Sequence, residues 1–195
     1  MKTIITTIAC FILVVLNANA QDEKPELLKK PASWQFEKFV LPPTFAPGFP
    51  YTGVEELRFS PGMFNKDASD YFSYAFVAQL NQTTSITQDA LKNYLLTYFR
   101  GLCGSTAKQR NLSIDTAQIT VSIEKKDRSI YDATLNVFGV FADGAPVILN
   151  AEIKVLTHAP AKKTYLLFIT SPQRKTHVIW QQLYNIQKEF KIPKE

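Results

Sequence analysis

Residues 131–155, YDATLNVFGVFADGAPVILNAEIKV, carry the pattern that decides the fold. Before Ala142-Asp143-Gly144, the residues Tyr131, Ala133, Leu135, Val137, Gly139 and Phe141 alternate with Asp132, Thr134, Asn136, Phe138 and Val140. After it, Val147, Leu149, Ala151, Ile153 and Val155 alternate with Ile148, Asn150, Glu152, Lys154 and Leu156. Period-two alternation on both sides of a Gly-containing reversal predicts a long antiparallel hairpin. A two-residue Asp-Gly turn would oppose Leu135 to Glu152 and mix the two faces. A three-residue loop with Gly144 at positive φ restores them, because glycine takes that conformation without a Cβ penalty. The expected pairs are then Val137–Leu149, Leu135–Ala151 and Ala133–Ile153 on an apolar face. Phe138–Ile148, Asn136–Asn150 and Asp132–Lys154 follow on a mixed one.

Working outward, Ser33 to Leu41, Gly53 to Phe59 and Tyr71 to Leu80 read as strands, the second stopped by Ser60-Pro61-Gly62. Thr87 and Asp89 open a helix whose stripe is Leu91, Leu95, Tyr98 and Leu102, with Gly104 as its expected stop. Ile119 to Glu124 is a further strand. Lys163 to Thr170 holds Tyr165-Leu166-Leu167-Phe168-Ile169, apolar on both faces, which predicts an interior strand covered on each side. A closing helix is expected from about Lys175 to Phe190, with Ile179, Leu183, Ile186 and Phe190 inward and a basic outer face.

Short connections between successive strands make them antiparallel. The expectation is one α+β domain over residues 33–195: a curved, mainly antiparallel sheet of about six strands with two packing helices, in the order β-β-β-α-β-β-β-β-α. That order, with Thr164 to Thr170 feeding the helix Lys175 to Phe190, resembles the Mog1/PsbP-like α/β/α sandwich over about Gly53 to Ile192. The resemblance implies a non-catalytic accessory, lipid-associated or partner-binding protein.

Lys2, the apolar run Ile4 to Val15 and Ala18-Asn19-Ala20 together have the form of a cleaved secretory signal peptide over residues 1–20. Residues 21–32, charged and carrying two prolines, are expected to be a flexible lead-in. Export to the periplasm or the medium follows, with no transmembrane segment, since the apolar run is too short to span. Beyond Ala20 the one cysteine is Cys103, so an intramolecular disulfide is excluded and the core must suffice. An exported domain without such staples points to a bacterial envelope or secreted protein. Asn81-Gln82-Thr83 and Asn111-Leu112-Ser113 match the glycosylation acceptor triplet, a pattern common by chance. The net charge of +5 falls short of a nucleic-acid footprint. The basic face of the last helix offers peripheral membrane contact.

The chemistry-bearing residues are sparse. The two histidines, His158 and His177, lack close carboxylate or cysteine neighbours at ligand spacing, so no metal and no cofactor is expected. There is no G-x-S-x-G elbow, Walker loop or Rossmann glycine pattern. Glu55 shares a strand face with Leu57 and Phe59, where a carboxylate needs Arg or backbone donors, and Arg100 is one candidate. Cys103 near a helix C-terminus sees the field that disfavours a thiolate. Glu55, Arg100 and Cys103 therefore support at most an alternative reading, a secreted or periplasmic hydrolase, and buried structural roles outweigh it. The leading expectation is a non-catalytic binding or accessory protein of the envelope with an unknown protein or small ligand. Two surfaces are candidates. One is the mixed sheet face with Thr134, Asn136, Asn150, Glu152, Lys154, Phe138 and Ile148. The other is the aromatic–proline segment with Trp34, Phe45, Phe49 and Tyr51, whose simpler role is a strap over one end of the core.

Overall fold

Residues 165–169 are apolar without interruption, and in the computed structural model, which describes residues 27–83 and 86–193, the strand they belong to is buried on both faces. The signal-peptide reading of residues 1–20, and residues 21–26, lie outside the described residues. The elements are β1 (Gln35–Leu41), β2 (Gly53–Phe59), β3 (Tyr74–Leu80), α1 (Gln88–Gln109), β4 (Thr120–Lys125), β5 (Ile130–Phe138), β6 (Pro146–His158), β7 (Lys163–Ser171) and α2 (Val178–Glu189). All strands pair antiparallel in one open sheet of seven, ordered β1-β2-β3-β7-β6-β5-β4. The fold is α+β in the expected element order, with seven strands where about six were expected.

Side-chain alternation sends each strand's residues into two layers. Tyr74, Phe76 and Ala78 of β3 join Leu166 and Phe168 of β7 under α1. Ala75 and Val77 join Tyr165, Leu167 and Ile169 under α2, where Ile179, Trp180, Leu183, Ile186 and Phe190 point inward. Leu27 and Leu28, expected in a mobile lead-in, are buried in this second layer.

The β5–β6 hairpin keeps the expected faces but not the expected pairs. Leu135 opposes Leu149, Ala133 opposes Ala151, Asn136 opposes Ile148, and Asp132 opposes Glu152 in place of Lys154. The slip is two residues, so residues 131–137 and 147–155 stay on their expected faces while Phe138 and Val140 at the loop end do not, and Leu135 is fully buried. The reversal is longer than three residues, spanning 139–145. It is closed by Gly139 N–H donating to Ala145 O at 2.8 Å and Gly144 N–H donating to Gly139 O at 3.0 Å, with Gly144 at the expected positive φ of 76°. The ladder stops at Gly139, where an added Cβ would lie 2.7 Å from the Tyr71 hydroxyl. Val140 is then buried, and Phe141 packs edge-on to Phe64 and Phe72, each at 5.4 Å. Core packing of the loop thus overrides the shorter turn.

Helix α1 starts as expected, with Thr87 Oγ1 accepting the Ala90 N–H at 3.1 Å. It does not stop at Gly104 but continues to Gln109. It ends in a Schellman arrangement: Asn111 sits at φ 55°, and Leu112 N–H donates to Ala107 O at 2.9 Å. Gly101 serves packing. A Cβ there would stand 2.3 Å from Phe45 O and 2.9 Å from Ala46 Cβ, so the glycine lets the backbone of residues 45–46 lie directly on the helix.

Gly101→Ala sets two effects against each other. Alanine gains about 1 kcal/mol of helix propensity, whereas overpacking against backbone costs about 1–3 kcal/mol. The contacted atom is a main-chain carbonyl that cannot swing aside, so the variant is expected to be less stable, read as a lower urea midpoint at unchanged m-value.

Candidate functional site

Strand β2 places acidic side chains in both layers. Glu55 lies in line with Phe39 of β1 and Ala78 of β3, facing α1, and is fully buried. Tyr94 and Tyr98, one helical turn apart, meet it there: the Tyr98 hydroxyl donates to Oε1 at 2.7 Å and the Tyr94 hydroxyl contacts Oε2 at 3.3 Å. Residues 42–52 lie over these rings, with Phe49 4.5 Å from the Tyr94 ring and Phe45 5.1 Å from the Tyr98 ring. Burial pushes the Glu55 carboxyl up to about 8, against the smaller opposing effect of the two tyrosine hydrogen bonds. The group is a neutral acid at neutral pH, able to hold a proton but sealed from any substrate.

The hydrolase residues do not come together. Arg100 is exposed and donates to Ile119 O at 3.3 Å, so the donors at Glu55 are tyrosines and not Arg100. Cys103 is buried against β5, its thiol pushed up to about 11 by burial and directed at Phe138 O at 3.9 Å. Such a thiol is not a nucleophile at neutral pH. Tyr74 shares this layer with its hydroxyl buried and unpartnered among the described residues.

On the opposite side of β2, Glu56 and Arg58 hold a segment by its main chain. Glu56 Oε2 accepts the N–H groups of Leu27 and Leu28 at 2.8 and 2.9 Å, and Lys38 Nζ stands 3.7 Å from Oε1. The Arg58 guanidinium donates to Leu28 O at 2.8 Å, Trp34 O at 2.9 Å and Lys29 O at 3.4 Å, and stacks 4.8 Å from the Phe36 ring. Trp34 is buried in this second layer, whereas Phe45, Phe49 and Tyr51 belong to the first. The four aromatic residues therefore do not form one wall. They close opposite sides of the sheet.

The other half of the second face is uncovered. Thr120, Ser122, Thr134, Asn136 and Ile148 of β4–β6 are exposed, Ile148 by 57%. Asn136 donates to Thr120 Oγ1 at 2.8 Å, and the half-buried Asn150 donates to Gln173 O at 3.2 Å. The expected Asp132–Lys154 pairing gives way to Lys175, from the loop before α2, at 2.5 Å from Asp132 and 3.8 Å from Glu152. Lys154 is half-buried on the same face, two residues along β6 from Glu152. Phe138, expected on this face, is buried in the first layer at the strand's end.

His177 caps α2, its Nδ1 accepting the Ile179 N–H at 3.2 Å, and His158 is the last residue of β6. Among the described residues no group of three or more His, Cys, Asp and Glu side chains could hold a metal ion. No described helix is long and apolar enough to cross a membrane. The basic outer face expected for the last helix is absent within α2 itself. Its charged residues are Lys188 and Glu189, with Gln181, Gln182 and Asn185 outward.

Because Glu55 keeps its proton in the folded chain to a pH of about 8 and loses it near 4.5 when unfolded, its contribution makes stability fall as pH rises between those values. The slope approaches ~1.4 kcal/mol per pH unit for a single group. Glu55→Gln removes it. The stability difference between Glu55→Gln and the parent chain is expected to move in the variant's favour from pH 5 to pH 8, as read by urea denaturation; a pH-independent difference would refute the assignment.

Comparison with protein-family models, with curated proteins and with solved structures finds no match to this chain.

Proposed function

We propose that the chain is an exported, non-catalytic binding protein, an accessory component of the bacterial cell envelope, that engages a partner protein through the uncovered face of β4–β6. The observation that carries this reading is the unequal covering of the sheet. Residues 27–34 and α2 cover β2, β3 and β7, whereas on the same face Thr120, Thr134 and Asn136 surround an Ile148 that is 57% exposed. A branched apolar residue among side chains able to donate and accept hydrogen bonds has the composition of an interface, with an apolar centre and a polar rim. The resemblance to Mog1/PsbP-like sandwiches agrees with an accessory role.

A partner on this face is favoured over one that extends the sheet at β4. Gln88 Nε2 donates to Ile123 O at 3.2 Å and Arg100 Nη2 to Ile119 O at 3.3 Å, so α1 already occupies carbonyls of that edge. Hydrolysis lacks support because its chemistry needs a nucleophile and a base within reach of each other and of solvent. Glu55 and Cys103 are fully buried, and Arg100 points elsewhere.

A photo-crosslinking residue at Ile148, introduced into the chain expressed in a bacterial host with an envelope, tests this. The expected result is one discrete crosslinked partner from position 148 and none from Lys92 on the outer side of α1. Equal labelling from both positions, or none from 148, overturns the reading.

A further inference from the structure

Residues 42–52, which join β1 to β2, form a loop whose two ends are fixed side by side. Leu41 pairs with Gly53 at the end of the β1–β2 ladder, and Asn81 N–H donates to Thr52 O at 2.9 Å. Gly53 sits at φ 152°, with Gln79 O 1.9 Å from where a Cβ would stand, so this end lies tight on β3. Between the ends, the loop's main chain bonds to itself: Ala46 N–H donates to Pro43 O at 2.9 Å and Phe49 N–H to Ala46 O at 3.0 Å. Among the described residues no main-chain hydrogen bond joins residues 42–51 to α1 or to the sheet. The loop is held down by packing alone. Phe45 and Phe49 lie on the rings of Tyr98 and Tyr94, and the Phe45 carbonyl rests over Gly101. A compact loop with adjacent ends and few bonds to its surroundings can lift as a unit while the ladder beside it stays intact.

Beneath it lies Glu55. From α1 the carboxyl faces Tyr94 and Tyr98; from β3, Tyr74, with Cys103 beyond it; from β1, Glu37; and from the loop Tyr51 acts on Tyr94. No cation is among the groups acting on Glu55. A carboxylate in that place has two hydroxyl donors but neither counter-ion nor water, and the charge of Glu37 opposes it further. Lifting the loop strips the outer cover from the two tyrosines and lets water reach the carboxyl between them. We propose that residues 42–52 are a pH-sensitive lid, closed over protonated Glu55 and released when Glu55 ionises. The closed form keeps its proton to a pH of about 8, whereas the open form loses it near the ordinary value of 4.5. Opening therefore rises with pH between those values, by up to about tenfold per unit, and levels off above them. The released lid bares the rings of Tyr94 and Tyr98, so pH sets how much aromatic surface this end of the sheet presents. The device is independent of the β4–β6 face.

The test uses the full chain carrying Ala46→Cys, a position 4% exposed where the loop meets α1. Iodoacetamide labelling at position 46 and at native Cys103, buried in the same layer, is resolved by peptide mass. Each rate is divided by that of the urea-unfolded chain at the same pH. Position 46 is expected to label at least about tenfold faster than Cys103, because a local opening precedes global unfolding. Its rate should rise by about tenfold per unit from pH 5.5 to 7.5 and flatten above pH 8, and Glu55→Gln in the same background should abolish the rise. If Ala46→Cys fails to fold, chymotrypsin cleavage after Phe45 and Tyr51 in the parent chain, normalised to a peptide substrate at each pH, gives the readout. It is expected to follow the same profile and to lose it in Glu55→Gln. Equal labelling at positions 46 and 103, a flat pH profile, or an unchanged profile in Glu55→Gln would each overturn the proposal.

Discussion

Strand β2 buries charge-bearing groups on both faces of the sheet, and the two outer layers are organised to meet them. Glu55 needs hydrogen-bond donors inside an aromatic layer, and α1 supplies two tyrosine hydroxyls at successive turns. Glu56 and Arg58 need partners in the other layer and find them in the main chain of residues 27–34. An unmet buried polar group costs about 1–3 kcal/mol and an unmet buried ion several, so neither outer segment is an optional covering. The helix holds the strand from one side and an extended peptide holds it from the other. In a chain with Cys103 as its one cysteine beyond Ala20, such contacts between distant segments tie the layers together where a disulfide cannot.

What was legible in the sequence was the face of each residue, and what was not was its partner. The alternation from Tyr131 to Val155 correctly assigned Leu135, Leu149 and Ala151 to the core. It could not distinguish pairings two residues apart, because both leave every side chain on the same face. The choice was made by Tyr71 against Gly139 and by Phe64 and Phe72 against Phe141, contacts from a segment some seventy residues earlier. The end of α1 failed to show for a related reason. Gly104 looked like a stop, whereas the helix runs on past it, and the glycine at 101 answers to the close approach of Phe45, which helix propensity does not register.

The candidate sites divide in the same way. The Tyr94–Tyr98 spacing was visible as part of an apolar stripe, and Glu55 was visible as a carboxylate on an apolar face. Only the tertiary fold brings them within 2.7 and 3.3 Å. Glu56 and Arg58 point to the face opposite Glu55, and their partners are main-chain groups of residues 27–34, most of which fall in the stretch expected to be a flexible lead-in. Trp34 and Phe45 were grouped because both sit near prolines. The strand between them sends one ring to each side of the sheet. The Asp132–Glu152 pair lay outside any local rule, since Lys175 comes from a loop that sequence alone does not place.

The polar residues of β2 also explain why the strand has a single register. A slip of one residue exchanges its faces: Arg58 would enter the layer of Phe76, Tyr98 and Phe168, and Glu55 would leave its tyrosines for the main chain of residues 27–28. An all-apolar strand would tolerate such a slip at small cost, because either face would still be buried. There the guanidinium would lose the main-chain carbonyls of Leu28, Lys29 and Trp34 that it now donates to, and Arg has no accessible neutral form to fall back on. The desolvation of Glu55, Glu56 and Arg58 therefore weakens the fold in gross terms while removing its nearest competitor. That exchange of stability for a unique register fixes where β3 and β7 lie. It thereby determines which half of the second face α2 covers and which half stays open.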